Sequence, residues 1–479
     1  MLNQSFSLEN FNKIFEIENR KGNFEKEYYS DKFHILSNEL KRQRKDIKTY
    51  KSTGDIEKDD EHLLKLYEEK KEIEIEDSKK NELEISLQEY VENVNSKEFK
   101  FVFSKFLHEA SGKYVYPIGK DASSYFAMKQ LQFNINRTFK VKQGNRYLIS
   151  KQLQSLLKDD YPKILLRTDI RGFYESVLQE KLLSIINNNQ LLSPKSKTLI
   201  KSLLYSYNEI TGQLGLPKEE KRGIPRGAGI SAYLAELFMR EVDNKIKRIN
   251  NVCYYARYVD DIVIVYVPNW EISEADYLDK VKKIVEQYGL ALNESPDKTK
   301  IIDTRKNDLF EIVFLGYIFK IENKKYVKTS LSENKKNKYV RRIEKTIDTF
   351  LFQKEFSQNE ASKLLIHRMN YLTKNTRLHK PKKGLVGIYY SNSLIENDCS
   401  DLDFLDSELA RIVDEKLPIA SYPKLNLKLK SYSFKDGFVN KSFFNINSKK
   451  KNIADLRPAP LKELKKLDNN FERVISIWK

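Results

Sequence analysis

Residues 254–267 read YYARYVDDIVIVYV. Tyr254, Tyr255, Tyr258, Val259, Ile262, Val263, Ile264 and Val265 favour strands, because branched and aromatic side chains pack well on a pleated surface. Asp260 and Asp261 interrupt this run, and two adjacent carboxylates do not sit mid-strand unless the chain turns there. The expected object is a β-hairpin with an acidic tip. An Asp-Asp pair is ordinary turn chemistry. It is also a ligand for a hard divalent cation, since Mg²⁺ prefers carboxylate oxygens and substrate phosphates. The flanking sequence has to decide between the two.

Upstream, KILLRTDI (163–170) reads as a buried strand that ends on Asp169, followed by RGFYESV. A carboxylate at the C-terminal end of a strand is placed where active-site ligands project; the competing reading is a turn or N-cap aspartate. Between the two acidic elements lies GIPRGAGIS (223–231), where Gly223, Gly227 and Gly229 allow close backbone approach. A helix is expected after Ser231, with Leu234, Leu237, Phe238 and Val242 on one face. A glycine-rich turn opening a helix suits contact with a nucleotide or nucleic-acid backbone, or is simply a loop. Downstream, an amphipathic helix over 272–289 leads to a turn bearing Lys298, a short strand, and the strand VFLGYIF (313–319). If the strands bearing Asp169 and Asp260 are neighbours in one sheet, they can share two cations about 3.5–4 Å apart. That arrangement activates a hydroxyl and stabilises a leaving pyrophosphate.

The remaining sequence supplies context. Lys and Arg number 86 against 68 Asp and Glu, a net charge of +18, which points to a polyanionic partner, most simply nucleic acid. Hydrophobic residues make up 40% of 479, enough for a sizeable core and roughly three domains. Two cysteines, Cys253 and Cys399, have no metal-type spacing and cannot form a disulfide framework, which fits a reducing cytoplasm. The N-terminus lacks a basic region followed by an apolar core, and no apolar run approaches spanning length, so neither a signal peptide nor a membrane segment is expected. Lys-, Asn- and Ile-rich usage fits an AT-rich bacterial genome. Residues 35–97 are expected to form a solvated, charged helix pair broken at Ser52-Thr53-Gly54-Asp55. Residues 98–150 read as strands and turns. Within them, INRTFKVKQGNRYLI (135–149) alternates Lys140 and Lys142 with Phe139 and Val141, flanked by Arg137 and Arg146. Strand spacing there would put cations on one face, either to hold phosphates or merely as a solvated face. Helices are expected over 181–222 and again from 334, and short apolar runs between Lys-rich loops from about 401.

In this order the motifs resemble those of a reverse transcriptase over roughly residues 100–320. TDIRGFYES (168–176) resembles the first catalytic motif of the palm. GIPRGAGIS resembles the motif usually written with Gly-Leu-Pro-Gln-Gly, and YVDD (258–261) the catalytic hairpin. LNESPDKTK (292–300) resembles the lysine-bearing fourth motif, and FLGYIF (314–319) the primer-grip hairpin. Each motif alone is weak, whereas five in family order are specific. RTFKVKQGNR (137–146), FYES, and YLTKNTRL (371–378) with GIYYSNS (387–393) resemble the defence-associated bacterial members, related to retron and group II intron enzymes. No maturase zinc-finger or HNH-type segment is visible at the C-terminus, which argues against an intron enzyme.

The resemblance implies an α+β right-hand polymerase. It would have a charged helical N-terminal extension (1–97), fingers and a palm with an antiparallel sheet (98–325), an α-helical thumb (326–400) and a C-terminal extension (401–479). It implies RNA-directed DNA synthesis from dNTPs with two Mg²⁺ ions, Mn²⁺ being the substitute. Asp169 and Asp260 would bind both ions, Asp261 would support the site and the carbonyl of Ile170 would complete a metal shell. Tyr174 falls on the steric-gate position, where a ring clashes with a ribose 2′-OH. Phe173 would pack beneath it as core, and Lys298 is the candidate general acid for pyrophosphate departure. Arg137, Lys140 and Arg146 would clamp the triphosphate, and Gly227 and its neighbours would contact template and nucleotide. Arg226 stands where many members carry Gln, adding charge near the nucleotide. The implied partners are a structured noncoding RNA template, the DNA product, and a second defence protein or a second copy of the chain, with a role against phage. Two rival readings are an RNA-dependent RNA polymerase, which Tyr174 opposes, and a non-catalytic RNA-binding scaffold. The intact aspartates oppose the scaffold, because clustered like charges are costly without a cation.

Overall fold

The structure is a computed structural model that describes residues 3–20, 28–50, 58–109, 112–378, 384–395 and 399–444, with side chains outside 45–67. Helices α1 (Leu8–Arg20), α2 (Asp31–Tyr50) and α3 (Lys58–Asn95) come first, then a short hairpin of β1 (Phe106–His108) and β2 (Lys113–Val115). Helix α4 (Ala122–Phe139) starts where the Asp121 carboxylate accepts from the Ser124 N–H at 2.7 Å. After α5 (Arg146–Lys158) come β3 (Ile164–Asp169), α6 (Phe173–Ser176), α7 (Gln179–Asn188) and α8 (Pro194–Thr211). Helix α8 begins with proline after a Ser193 cap and stops at Gly212, whose φ of 73° permits the left-handed turn. Helix α9 (Ser231–Lys247) leads into the hairpin of β4 (Val252–Tyr258) and β5 (Asp261–Tyr266), followed by α10 (Glu274–Gln287) behind a Ser273–Asp276 capping box. Strands β6 (Lys300–Asp303), β7 (Leu309–Phe314), β8 (Tyr317–Glu322) and β9 (Lys325–Leu331) precede α11 (Glu333–Gln353) and α12 (Gln358–Thr373). The β10 (Asn375–Leu378) and β11 (Gly384–Gly387) hairpin and helices α13 (Ser400–Lys416), α14 (Pro423–Lys430) and α15 (Phe434–Val439) complete the described chain.

A four-stranded sheet runs in the order β4-β5-β3-β6, with β3 and β6 antiparallel from Ile164↔Asp303 to Arg167↔Lys300. Together with the surrounding helices it makes the fold α+β, as expected. Its inner strands carry Ile164, Leu165, Leu166 and Ile262–Tyr266, all buried. Continuous burial explains why these runs are apolar throughout rather than alternating. Fully burying a side chain of this size stabilises by about 1.5–3 kcal/mol.

The chain divides into two compact units. The first comprises Met1–Gly144, Thr168–Ile264 and Trp270–Thr299. Here α4 is a central helix that packs on α1, α3, α8 and α9. Residues 35–97 differ from the expected solvated pair. Phe33, Leu40, Leu87 and Val94 are buried, and the Phe11 ring of α1 stacks on Phe126 of α4 at 5.3 Å. The high charge density had hidden a narrow apolar stripe. The expected break at 52–55 lies outside the described residues. The basic strand expected over 135–149 is absent: residues to Phe139 finish α4, Lys140 is its left-handed cap, and α5 begins at Arg146. Phe139 and Val141 are buried and Lys140 and Lys142 exposed, so the alternation is real, but it lies in the irregular link between two helices and not in a strand.

The second unit comprises Asn145–Arg167, Val265–Asn269 and Lys300–Lys479. Strands β7, β8 and β9 form an antiparallel sheet with alternating burial along β7 and β8. VFLGYIF is therefore not one strand. Leu315 (φ 47°) and Gly316 (φ 80°) make the tight turn that joins two strands. Helix α11 buries Tyr339, Ile343, Ile347 and Phe350, and α12 buries Leu364, Leu365, Met369 and Leu372. Residues 400–439 are largely helical, not loops between apolar runs: α13 packs on α11 through a stripe that includes Leu402, Leu405 and Leu409.

Gly289 ends α10 with φ 72°, and a Cβ there would meet Leu178 Cδ1 at 2.2 Å and Cγ at 2.7 Å. Gly289→Ala is expected to cost about 2 kcal/mol through overpacking and backbone strain. Denaturant unfolding measures this, and an unchanged midpoint would refute the packing described for this turn.

Candidate active site

The site is built where β3 ends. Asp169 is 7% exposed, and the backbone around it is laced to two other segments of the first unit. The Ile170 N–H donates to the Asp260 carbonyl at 3.1 Å, on the hairpin side. On the other side the Arg171 N–H donates to the Ala291 carbonyl and the Asn293 N–H to the Asp169 carbonyl, each at 2.9 Å. Asp169 and Asp260, distant in sequence, thus become backbone neighbours. The turn after Asn293 also delivers Lys298, whose Nζ donates to Asp169 Oδ2 at 3.1 Å. Thr299 steadies this turn through hydroxyl contacts with Thr168 Oγ1 (2.6 Å) and the Asn293 carbonyl.

The acidic tip is the hairpin that the residues predicted. Val259 and Asp260 form the two-residue turn between β4 and β5. Val259 has φ 61°, a conformation that costs a β-branched residue roughly 1–3 kcal/mol. Arg257 offsets that strain. Its guanidinium, with 4% of the side chain exposed, donates to the Val259 carbonyl at 2.8 Å and pairs with Glu236 (2.8 Å) and Asp243 (2.8 Å) from α9. Burial disfavours the charged guanidinium, but hydrogen bonds and charge from Asp243 and Glu236 outweigh it and raise its pKa further. Tyr255 also donates to Asp243 at 2.6 Å. The run YYARYVDD offered one hint of this missed network, a lone arginine inside a strand that should be buried.

A second pair of segments meets beside the hairpin. The Ile224 N–H donates to the Tyr174 carbonyl at 2.9 Å and the Gly223 N–H to the Val177 carbonyl at 2.8 Å, joining FYESV to GIPRG. Phe173 is buried as core, with its ring 5.5 Å from that of Tyr174. Arg226 lies over the Tyr174 ring at 4.9 Å and grips Glu175 with two hydrogen bonds, at 2.8 and 3.0 Å. Burial raises the Tyr174 pKa; Arg226 opposes this and the Asp260 carboxylate adds to it, so the phenol stays protonated at neutral pH. Burial pushes Glu175 up, but the hydrogen bonds and charge of Arg226 prevail and hold it below its usual range. Glu175 was not singled out in the sequence. The close approaches of Gly223 and Gly227 are intramolecular: a Cβ at Gly223 would meet Tyr207 Oη at 2.9 Å, and one at Gly227 would meet Val115 Cβ at 3.3 Å.

The expected phosphate clamp is not one cluster on one element. Arg137 is exposed in the last turn of α4, over the Phe133 ring at 5.3 Å, and Lys140 caps that helix. Arg146 belongs to the second unit, where its Nε donates to the Leu315 carbonyl at 3.2 Å. A cavity of about 590 Å³ bordered by α7, α9 and α10 is lined in part by Lys181, Arg240, Lys245 and Tyr288, and none of the three aspartates borders it.

Among the described residues no group of three or more His, Cys, Asp or Glu side chains is placed to hold a metal. The donor chemistry around Asp169 and Asp260 nevertheless suits a hard cation. Asp169 Oδ1 is buried with no hydrogen-bond partner while Oδ2 takes Lys298. A buried carboxylate oxygen without a donor costs free energy that a cation would return.

Residues 116–319 match the family model described as "Reverse transcriptase (RNA-dependent DNA polymerase)". This stretch, a little under half of the chain, is thus similar to a reverse transcriptase domain. No curated protein matches the chain. Among solved structures it is similar to apo telomerase from Candida tropicalis truncated from its C-terminal domain, at 13% identity and a TM-score of 0.34, covering 50% of this chain and 56% of that one. It is also similar to telomerase from Candida albicans in complex with a TWJ fragment of telomeric RNA, at 11% identity and a TM-score of 0.34, covering 74% and 65%. A third, the RNA-dependent RNA polymerase of BmCPV at elongation state, has 10% identity, a TM-score of 0.29 and coverage of 50% and 23%. The chain thus spans less than two thirds of the length of these structures. No helix among the described residues is long and apolar enough to cross a membrane.

Arg257→Ala would leave Glu236 and Asp243 largely buried without their cation. The expected cost is about 3 kcal/mol or more, read by denaturant unfolding. A loss below about 1 kcal/mol would contradict the support assigned to this arginine.

Proposed function

We propose that this chain is a reverse transcriptase that copies an RNA template into DNA by nucleotidyl transfer at Asp169 and Asp260. The observation that carries the reading is the backbone bond from Ile170 to Asp260, which makes the two carboxylate-bearing segments neighbours, together with the unpartnered Asp169 Oδ1. Asp169, Asp260 and the Ile170 carbonyl would hold two divalent cations, Mg²⁺ with Mn²⁺ as substitute, and Asp261 would support them. Bound there, the ions would lower the pKa of the primer hydroxyl and neutralise charge on the phosphates. The primer 3′ hydroxyl gives its proton to solvent water and its oxygen bonds to the α-phosphorus of a dNTP as the bond to pyrophosphate breaks. Lys298, held beside Asp169 at 3.1 Å, donates its Nζ proton to the departing pyrophosphate. Tyr174 places its ring against the position of a ribose 2′-OH, with Phe173 packed as core beside it. Arg137 and Lys140, both of the first unit, add cations for the triphosphate.

The sequence likeness to defence-associated enzymes supports a finer reading. The template is a dedicated, structured noncoding RNA, the setting is the bacterial cytoplasm, and the role is anti-phage defence with a second protein or a second copy of the chain. The net charge of +18 supports the polyanionic partner. Residues 1–97 form the helical extension, 98–325 the fingers and palm, 326–400 the thumb and 401–479 a C-terminal extension. Sequencing RNA that co-purifies with the chain tests the template: one enriched structured species is expected, and bulk cellular RNA would count against it.

Asp169→Asn and Asp260→Asn preserve shape while removing charge. Each is expected to lower dNTP incorporation on a primed RNA by about 10³-fold or more, the scale of losing charge stabilisation at a reacting phosphate. Incorporation at the parent rate in either variant would end the catalytic reading.

A further inference from the structure

Arg226 is the departure from the family pattern, and the structure gives it a use other than phosphate binding. Its Nε and Nη2 are both engaged by Glu175, at 2.8 Å to Oε1 and 3.0 Å to Oε2. The pair is bidentate, so it fixes the plane of the guanidinium as well as its position. Its central carbon lies over the Tyr174 ring, 4.9 Å from the ring centre. Glu175 follows Tyr174 on α6, and Arg226 lies two residues beyond Ile224, whose N–H binds the Tyr174 carbonyl at 2.9 Å. The Tyr174 backbone and ring are therefore held from the same short segment. A solvated surface pair would contribute little, but this arginine side chain is only 26% exposed and the contact is to one particular ring.

We propose that Arg226 and Glu175 are positioning residues that set the Tyr174 ring and thereby tune the choice between deoxyribo- and ribonucleotides. This rests on the reading of Tyr174 as the sugar gate. A ring free to rotate excludes a 2′-OH only part of the time; a ring covered on one face by a fixed planar cation excludes it continuously. The carboxylate neutralises the guanidinium, so the arginine is not spare charge for the triphosphate. A lysine would keep charge but lose the fork and the planar stack.

The test is the ratio of kcat/KM for a dNTP to that for the matching rNTP, measured on one primed RNA template. Both rates come from one preparation, so any unfolded fraction cancels. Arg226→Gln, Arg226→Lys and Glu175→Gln are each expected to lower the ratio about tenfold, the scale of one partly desolvated cation–π contact. Tyr174→Ala should lower it further, and adding Arg226→Gln to Tyr174→Ala should change it no more. A parent-like ratio in Arg226→Lys or in Glu175→Gln overturns the inference while leaving the gate intact, provided Tyr174→Ala still lowers it. A parent-like ratio in Tyr174→Ala overturns the gate itself, and the positioning role with it.

Discussion

A single backbone hydrogen bond, from the Ile170 N–H to the Asp260 carbonyl, makes one site out of two carboxylates that are remote in sequence. The register of β3 on β6 sets where β3 lies, and this bond sets the hairpin tip against its end. With it, the residue before the bond, Asp169, and the residue that accepts it, Asp260, are drawn to the same end. The bonds to Ala291 and Asn293 do the same from the opposite side and carry Lys298 with them. Backbone groups impose this geometry, so it does not depend on the carboxylates attracting anything.

Holding the hairpin tip in place has its own cost. Val259 is forced to φ 61°, and the Asp260 carbonyl must stay where Ile170 can reach it. Arg257 ties the turn to α9 through Glu236 and Asp243, and α9 in turn packs on α4, α7 and α10. Strain at the tip is thus carried by a buried ion network rooted in the helical layer. The glycine-rich turn before α9 is joined to FYESV by the bonds at Tyr174 and Val177. Packing of one helix therefore serves both the acidic tip and the Tyr174 ring.

Much of this was legible because it is local. An apolar run interrupted by Asp260-Asp261 reads as a hairpin, and a buried strand ending at Asp169 sets that carboxylate at the strand's C-terminal end. The amphipathic faces of α9, α11 and α12 repeat every three to four residues and read directly. Pairing partners were not legible. Nothing local says that Arg226 meets Glu175, or that Arg257 meets Glu236 and Asp243, since those bonds join different elements whose packing no local pattern gives. The basic run at 137–146 misled because its alternating burial, with Phe139 and Val141 in and Lys140 and Lys142 out, belongs to an irregular link between α4 and α5 and not to a strand. Residues 35–97 misled in the opposite sense, as dense charge concealed Leu40, Leu87 and Val94 in the core. Likewise Leu315-Gly316 looked like strand interior until the positive φ angles showed the turn.

The central claim is that Asp169 and Asp260 hold a divalent cation together. Substituting Fe²⁺ and generating hydroxyl radicals at the bound ion cleaves the polypeptide nearest to it. Mapping the cuts reads the site without relying on polymerisation. Paired cleavage next to Asp169 and next to Asp260, lost at both positions in Asp169→Asn and competed away by excess Mg²⁺, is the result expected. Cleavage elsewhere only, or paired cleavage that survives Asp169→Asn, would contradict it.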